Sequence, residues 1–248
     1  MLCLGILLVQ LPLATHSVAD EVLVAVASNF IEPMTEIAAR FSEETGHQVN
    51  LASGASGRFV AQIRNGAPFQ IFLSADQDRV SALIDSGHAL AASRYTYATG
   101  ALVLWSANAQ RDITGLDALT DLDYRRLALA NPALAPYGRA AVEVMTGRSL
   151  LDATRPRWVQ GENIAQTFQF VSTGNAELGF VAASQVMDSG EIRQGSGWLI
   201  PQSYHSPIRQ DAVLLSSAEG CAACQELLDY LRSGPSLQII TAAGYRQN

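Results

Sequence analysis

The sequence contains no lysine: all sixteen basic residues are arginine, against twenty-three acidic ones, and the net charge is −7. A phosphate loop of the Gly-x-x-x-x-Gly-Lys-Ser/Thr type is therefore excluded. An acidic chain without a basic run is also a poor partner for nucleic acid or an anionic membrane. Any anion that this protein binds must be held by local hydrogen-bond donors rather than by the field of the whole molecule.

Cysteine is scarce, with Cys3 near the start and a Cys221-Ala-Ala-Cys224 motif near the end. In an oxidising compartment this motif favours a local disulfide at the start of a helix. A thioredoxin-like redox role is the alternative, which the late position of the motif disfavours. Zinc binding is not favoured, because the histidines are scattered singly along the chain.

Long apolar runs are missing after residue 19, so no membrane-spanning helix is expected there. The first nineteen residues, "MLCLGILLVQLPLATHSVA", are apolar, interrupted by proline, and end in a small-x-small pattern before Asp20. They predict a signal peptide at 1–19 cleaved after Ala19, although a basic residue at its start is missing. A buried N-terminal helix is the alternative. The mature chain is expected to be exported and soluble.

Strand-like and helix-like segments alternate from residue 21 onward. The run 21–28 is continuously apolar, as in a strand buried on both faces, and the helical pattern that follows has Pro33 in its first turn and Gly46 at its end. Further strands are predicted at 47–53 and 69–76, each followed by a helix. Such alternation predicts an α/β fold with a parallel sheet and right-handed crossovers.

The pattern changes near Tyr95, where two β-like halves flank Gly100 and predict a long crossing strand. A second α/β set follows. It has strands around 126–132, 157–160 and 177–184, and helices at about 137–146 and 163–172. A returning strand near 210–217 and two closing helices complete the chain. The sequence therefore predicts two α/β units.

Four loop-to-helix junctions share small or polar residues and free backbone N–H groups. They are Ser28-Asn29, Ser56-Gly57, Pro136-Tyr137-Gly138 and Glu162-Asn163-Ile164. For any one junction, helix capping is a sufficient explanation. Together, at the carboxyl ends of strands, they predict an anion site surrounded by donors.

Ser56 is a poor nucleophile. The stretch 54–58, Gly-Ala-Ser-Gly-Arg, lacks the last glycine of a nucleophile elbow, and no His and Asp pair suggests itself as its base. We expect Gly57 to allow a tight turn that aims Ser56 at the anion. Arg58 and Arg139 lie near two junctions, and we expect them to point to solvent rather than to contact the ligand.

Three stretches resemble ModA-type periplasmic molybdate-binding proteins. Residues 24–76, from "VAVASNF" to "FLSAD", resemble the opening of these proteins, and "LALANPALAPYGRAAVEVM" and "AELGFVAASQV" resemble their middle. The resemblance implies a two-lobed periplasmic binding protein fold, type II-like, with two hinge-crossing strands and a ligand cleft between the lobes. It implies lobe 1 at 20–99 plus 208–248 and lobe 2 at 100–207.

The resemblance also implies a function. The family binds the tetrahedral oxyanions molybdate and tungstate in the cleft and delivers them to a membrane ABC-type permease. A periplasmic, monomeric binding protein is therefore expected, with no enzymatic activity, no cofactor and no nucleic-acid partner. The ligand residues that the resemblance implies are Ser28, Asn29 and Ser56 in lobe 1, and backbone donors at Tyr137 and Ile164, beside Asn163, in lobe 2.

One position departs from the family pattern. Many members carry a tyrosine after "LGIV" whose hydroxyl reaches the oxyanion, whereas this chain has "LGFVAAS" with Ala182 at that position. Asn29 or Tyr137 is expected to replace the lost donor.

Molybdate at neutral pH is a dianion whose oxygens only accept hydrogen bonds, so a site made solely of donors fits it. Sulfate has the same charge and shape, and sulfate or chromate stays an alternative ligand. A secreted enzyme that uses Ser56 or the Cys221-Cys224 pair is an alternative from another class.

Overall fold

The computed structural model describes residues 20–121, 123–188 and 190–247. The predicted signal peptide and its cleavage point after Ala19 lie outside these residues. Within the described ranges, no helix combines the length and the hydrophobicity that crossing a bilayer requires.

The elements follow one another in three runs along the chain. The first run is β1 (Glu21–Ala27), α1 (Ile31–Thr45), β2 (Gln48–Gly54), α2 (Ser56–Arg64), β3 (Ile71–Leu73), α3 (Gln77–Asp85) and β4 (Tyr95–Gly100). The second run is β5 (Leu102–Ser106), α4 (Asp117–Thr120), β6 (Leu127–Ala130), α5 (Pro136–Gly147), α6 (Leu151–Thr154), β7 (Trp158–Gly161), α7 (Ile164–Ser172), β8 (Leu178–Ala182), α8 (Ala183–Val186), β9 (Met187–Asp188), β10 (Glu191–Ile192) and β11 (Ser196–Leu199). The last run is β12 (Ile208–Leu214), α9 (Ala222–Tyr230) and α10 (Gly234–Ala242).

Local sequence explains the first βα unit. The last four residues of β1 are all buried, as expected for a strand covered on both faces. Helix α1 buries Met34, Ile37 and Phe41, which lie on one face at helical spacing. It ends at Gly46, whose φ of +80° is the left-handed conformation that glycine adopts without strain.

Two five-stranded mixed sheets organise the described chain. The first has the order β2-β1-β3-β12-β4, and the second the order β11-β5-β8-β6-β7. We call the unit with the first sheet, α1–α3, α9 and α10 lobe 1, and the unit with the second sheet and α4–α8 lobe 2. The boundaries at 99/100 and 207/208 stay a prediction.

The prediction of a parallel sheet is wrong in part, because both sheets are mixed. Strands β1, β2 and β3 are parallel, but β12 runs antiparallel to both β3 and β4. In lobe 2, β6 is parallel to β7 and β8, whereas β5 is antiparallel to β8 and β11. The reason is that the chain leaves lobe 1 through β4 and β5 and comes back through β12, which must enter the first sheet from the opposite end.

Packing fixes where the ligand cleft can lie. The lobe 1 sheet is covered by α1, α9 and α10 on one face and by α2 and α3 on the other, and each face has its own buried apolar cluster. Two further clusters cover the faces of the lobe 2 sheet. With both faces closed, the carboxyl ends of the parallel strands are left to bind a ligand.

Candidate functional site

All four predicted junctions line one small cavity between the lobes. The lining residues are Ala27, Ser28, Asn29, Gly54, Ala55, Ser56 and Ala75 from lobe 1, and Ala135, Pro136, Tyr137, Asn163 and Ile164 from lobe 2. The cavity has a volume of ≈ 10 Å³, close to the space that one water-sized group needs. Because pockets for drug-sized ligands span about 300–1,000 Å³, this one suits a small ion.

Ser28 begins the short 3₁₀ turn Ser28–Phe30 that joins β1 to α1, and it is buried. Its Oγ accepts the backbone N–H of Ala165, at 3.4 Å, from the first turn of α7 in the other lobe. A serine oxygen that accepts a hydrogen bond keeps its own proton for a further acceptor. Ser28 therefore links the lobes and can still donate into the cavity.

Ser56 is the first residue of α2 and is almost completely buried. Its Oγ accepts the backbone N–H of Ala75 at 3.0 Å, so its hydroxyl proton is likewise available to a ligand. A nucleophile requires a base as neighbour, and this partner is a backbone donor. The surroundings of Ser56 therefore favour hydrogen-bond donation over nucleophilic chemistry.

Gly57 has a different role from the expected tight turn. Its φ is not in the left-handed region. Its N–H donates across the cleft to the Leu134 carbonyl at 3.0 Å, and a Cβ at this position would lie 3.0 Å from the same oxygen. Glycine is needed here because the lobes approach each other closely.

The Asn29 side chain is engaged away from the cavity. Its amide nitrogen donates to Gln210 Oε1 at 2.8 Å and to the Tyr245 hydroxyl at 2.9 Å, which uses both amide hydrogens. The expectation that this amide replaces the missing tyrosine donor is therefore wrong. With the amide engaged, the backbone N–H is the donor of Asn29 that remains for a ligand.

The backbone and the hydroxyl of Tyr137 have different surroundings. Pro136 supplies the first position of α5, where no N–H is needed, and the Tyr137 N–H follows at the helix N-terminus. The buried Tyr137 hydroxyl accepts a hydrogen bond from Gln210 Nε2 at 3.2 Å. The hydroxyl therefore contacts β12 of lobe 1, and Tyr137 as the replacement for the tyrosine donor stays a prediction.

Asn163 caps α7. Its Oδ1 accepts the backbone N–H of Gln166 at 3.0 Å, as capping predicts, and Ile164 is then the first residue of the helix. The first N–H groups of a helix have no intrahelical partner and carry the positive end of its dipole. Ile164 thus brings a helix N-terminus to the cavity lining without a charged side chain.

The cavity is electrically neutral in its side chains, since none of its lining residues is Asp, Glu, His or Arg. Arg58 and Arg139 are exposed and do not line the cavity, as expected, and both also form ion pairs across the cleft. Arg58 pairs with Glu162, and Arg139 Nη2 lies 2.8 Å from Asp76 Oδ2. In the ranges that the structure describes, no three His, Cys, Asp or Glu side chains are grouped as a metal site.

Ala182 does not line the cavity. It is the last residue of β8, is buried, and its N–H donates to Gln185 Oε1 at 3.0 Å. Sequence reasoning missed Gln210 and Tyr245, which contact Asn29 from 181 and 216 residues away along the chain. No local pattern marks residues whose partners are this distant.

Cys221 and Cys224 form a disulfide, with their Cα atoms 5.3 Å apart. Cys221 Sγ accepts the backbone N–H of Cys224 at the start of α9. Neither cysteine is among the lining residues of the cavity.

Comparison with known proteins agrees with this geometry. The family model of the bacterial extracellular solute-binding proteins matches residues 22–246. The molybdate-binding protein ModA of Azotobacter vinelandii is 47% identical over 94% of this chain and 92% of its own length, and ModA of Rhodobacter capsulatus is 47% identical over 94% and 91%. The solved structure of the periplasmic molybdate-binding protein of Azotobacter vinelandii matches with a TM-score of 0.87 and 38% identity, covering 92% of this chain and 99% of that one. The chain therefore belongs to the family of bacterial extracellular solute-binding proteins.

Proposed function

We propose that this protein binds molybdate or tungstate in the cleft between its lobes and delivers the ion to an ABC-type permease. The observation that carries the proposal is the convergence of three α-helix N-termini, one 3₁₀ turn and two serines on one neutral cavity. The names of the two relatives that are 47% identical, both molybdate-binding proteins, support the same ligand.

The proposed ligand atoms are the hydroxyls of Ser28 and Ser56 and the backbone N–H groups of Asn29, Tyr137 and Ile164. Asn163 takes part through its cap, which holds the Ile164 N–H in place. Hydrogen bonds to a charged group contribute about 1.5–3 kcal/mol each. Five such bonds, with the dipoles of the helices behind them, offset much of the cost of desolvating a dianion.

The donor-only chemistry selects against protonated anions. A partly protonated phosphate needs an acceptor for its proton, and a carboxylate in the site would provide one. The lining residues include no carboxylate. Fully deprotonated molybdate, tungstate, chromate and sulfate all satisfy the donors, so discrimination among them depends on the size of the cavity.

The site is proposed to bind and release its ligand without a reaction or a cofactor. Ser56 has a backbone N–H rather than a base as its partner, and the disulfide between Cys221 and Cys224 lies outside the cavity lining. Function in the periplasm after removal of residues 1–19, as a monomer that docks transiently on the permease, is part of the same proposal.

Calorimetry and thermal shift with molybdate, tungstate, sulfate, chromate and phosphate test the ligand. We expect molybdate and tungstate to bind tightest and to raise the melting temperature most. Tighter binding of sulfate or chromate would assign the protein to another oxyanion, and no binding of any oxyanion would overturn the proposal.

A double Cys221→Ser/Cys224→Ser variant tests the alternative of a thiol enzyme. We expect it to bind molybdate with unchanged affinity, because the pair does not touch the cavity, while its melting temperature falls because a cross-link is lost. Loss of molybdate binding in a folded double variant would instead make the cysteines part of the function.

A further inference from the structure

A buried polar network lies directly behind the cavity, between the two strands that connect the lobes. Its members are polar, neutral and nearly inaccessible to solvent: Asn29, Tyr97, Tyr137, Ser184, Gln210 and Tyr245. Buried polar groups are costly unless they are fully hydrogen-bonded, so a network of this size indicates a specific arrangement.

Gln210, in β12, is the centre of this network. Its Oε1 accepts from Asn29 Nδ2 at 2.8 Å and from the Tyr97 hydroxyl at 2.9 Å. Its Nε2 donates to the Tyr137 hydroxyl at 3.2 Å. Asn29 and Tyr137 line the cavity from opposite lobes, so a single side-chain amide connects the two sides of the site.

Tyr245 also hydrogen-bonds to Asn29. Its hydroxyl accepts the second amide hydrogen of Asn29 at 2.9 Å and donates to the Asn29 carbonyl at 2.7 Å. Ser184, from lobe 2, donates to the same carbonyl at 2.9 Å. The backbone that begins the turn after β1 is thereby fixed in position.

Gly100 provides the space for this arrangement. A Cβ at position 100 would overlap the Tyr137 hydroxyl and lie 2.7 Å from Gln210 Nε2. Gly100 ends β4, the outgoing crossing strand, and Gln210 lies in β12, the returning one. The network therefore lies where a change in the angle between the lobes would strain it.

From this geometry we propose that Gln210 is a positioning residue that sets the distance between the Asn29 and Tyr137 sides of the cavity, and thereby its selectivity for the larger oxyanions. This inference rests on the proposed oxyanion function. The selectivity follows because molybdate and sulfate differ in size and not in charge, so the spacing of the donors must separate them.

The test compares Gln210→Leu with Gln70→Leu in the full chain, using molybdate and sulfate in calorimetry. Gln70 accepts the Leu23 N–H at 2.9 Å at the opposite end of the lobe 1 sheet, so it controls for the loss of a glutamine hydrogen bond. We expect Gln210→Leu to lower the affinity for molybdate at least tenfold and the ratio of molybdate to sulfate affinity at least fivefold. Gln70→Leu is expected to keep that ratio.

Tyr245→Phe, which keeps the ring and removes the hydroxyl, serves as a second variant if Gln210→Leu does not fold. We expect it to lower the same ratio by a smaller factor. If wild type binds molybdate and the folded variants keep the ratio of wild type, Gln210 is a structural residue only and the inference is wrong. If wild type itself binds no oxyanion, the proposed function fails instead.

Discussion

Ser28 and Ser56 have the same hydrogen-bonding arrangement although they lie on different strands. Each oxygen accepts one backbone N–H, from Ala165 and Ala75 respectively. Each hydroxyl is therefore left with a proton to donate, and its rotation is restricted before a ligand arrives. A ligand that only accepts hydrogen bonds benefits from this, because little rotamer entropy is lost on binding.

Ser56→Ala is expected to weaken molybdate binding at least tenfold without unfolding the protein. The reason is the loss of one hydrogen bond to a charged group, worth about 1.5–3 kcal/mol, at a serine that is almost completely buried. Calorimetry gives the affinity and circular dichroism the fold. Ser53→Ala is the matched control, since Ser53 is exposed at the end of β2. Unchanged affinity for Ser56→Ala would remove this residue from the site.

The sequence predicts which residues lie at the cavity better than it predicts what their side chains bond to. Ser28, Asn29 and Ser56 stand where a strand ends and a helix begins, and this is a local pattern. The use of Asn29 depends on Gln210 and Tyr245, which the fold brings from the far end of the chain. Side-chain roles set by such distant partners have no local signal.

At the scale of elements, helix N-termini replace charged side chains as the source of positive potential. Helices α2, α5 and α7 begin at the cavity, and α1 begins one 3₁₀ turn away from it. The helix dipole is strongest in the first turn and remains the same at any physiological pH. An anion bound in this way does not need a cation whose side chain must be held in place.

The variants Asn163→Ala and Asn163→Asp distinguish the role of Asn163 as a helix cap from its role near the ligand. Alanine removes the cap of α7 and is expected to lower the free energy of unfolding by about 1 kcal/mol. Aspartate keeps an oxygen for the Gln166 N–H, and it is expected to preserve stability while weakening molybdate binding more than alanine does, because it adds a negative charge beside the anion.

Urea unfolding and calorimetry on both variants measure the two effects independently. Equal affinity of the Asp and Ala variants would place the Asn163 side chain away from the ligand, with capping as its whole role.

The order of strands and helices follows from sequence for a physical reason. Buried strands need continuous apolar runs, and covering helices need an apolar stripe, so both leave local patterns such as Glu21–Ala27 and Ile31–Thr45. The antiparallel position of β12 between β3 and β4 leaves no such local pattern in the sequence. It depends on the second crossing between lobes, which places a late segment inside an early sheet.

At the scale of the whole molecule, the tyrosines of the network affect stability at high pH. Burial raises the pKa of Tyr245 to about 12 and holds the pKa values of Tyr97 and Tyr137 well above 10.0. The unfolded chain therefore loses these protons first as pH rises. The stability that the tyrosines contribute is complete below about pH 10 and is lost as pH rises through the folded pKa.

Urea unfolding between about pH 8 and about pH 11 measures this loss. Above about pH 10, each buried tyrosine lowers the free energy of unfolding by at most about 1.4 kcal/mol per pH unit. Tyr245→Phe is expected to make the decline less steep, since it removes one of these groups. A variant whose decline is as steep as that of wild type would contradict the assignment.

The lobes are also held together at the rim of the cleft. Arg139 of lobe 2 pairs with Asp76 at 2.8 Å and with Asp78 at 3.2 Å, and Arg58 of lobe 1 pairs with Glu162. Arg79 adds a hydrogen bond to the Ala133 carbonyl of lobe 2 at 3.0 Å. These contacts exist only while the lobes are close, so they favour the closed form over the open one.

Arg139→Gln is expected to raise the dissociation rate of molybdate and to lower its affinity about two- to fivefold, with little change in the association rate. The effect is small because Arg139 is 44% exposed, and ion pairs in contact with solvent contribute at most about 1 kcal/mol. Stopped-flow displacement by tungstate at low and high salt measures the dissociation rate.

Arg125→Gln is the control, since it removes the same charge from an exposed pair within lobe 2. Salt screens the rim pairs, so wild type should approach the rate of Arg139→Gln as ionic strength rises. If the two proteins release the ion at the same rate in low salt, the rim pairs do not hold the cleft closed.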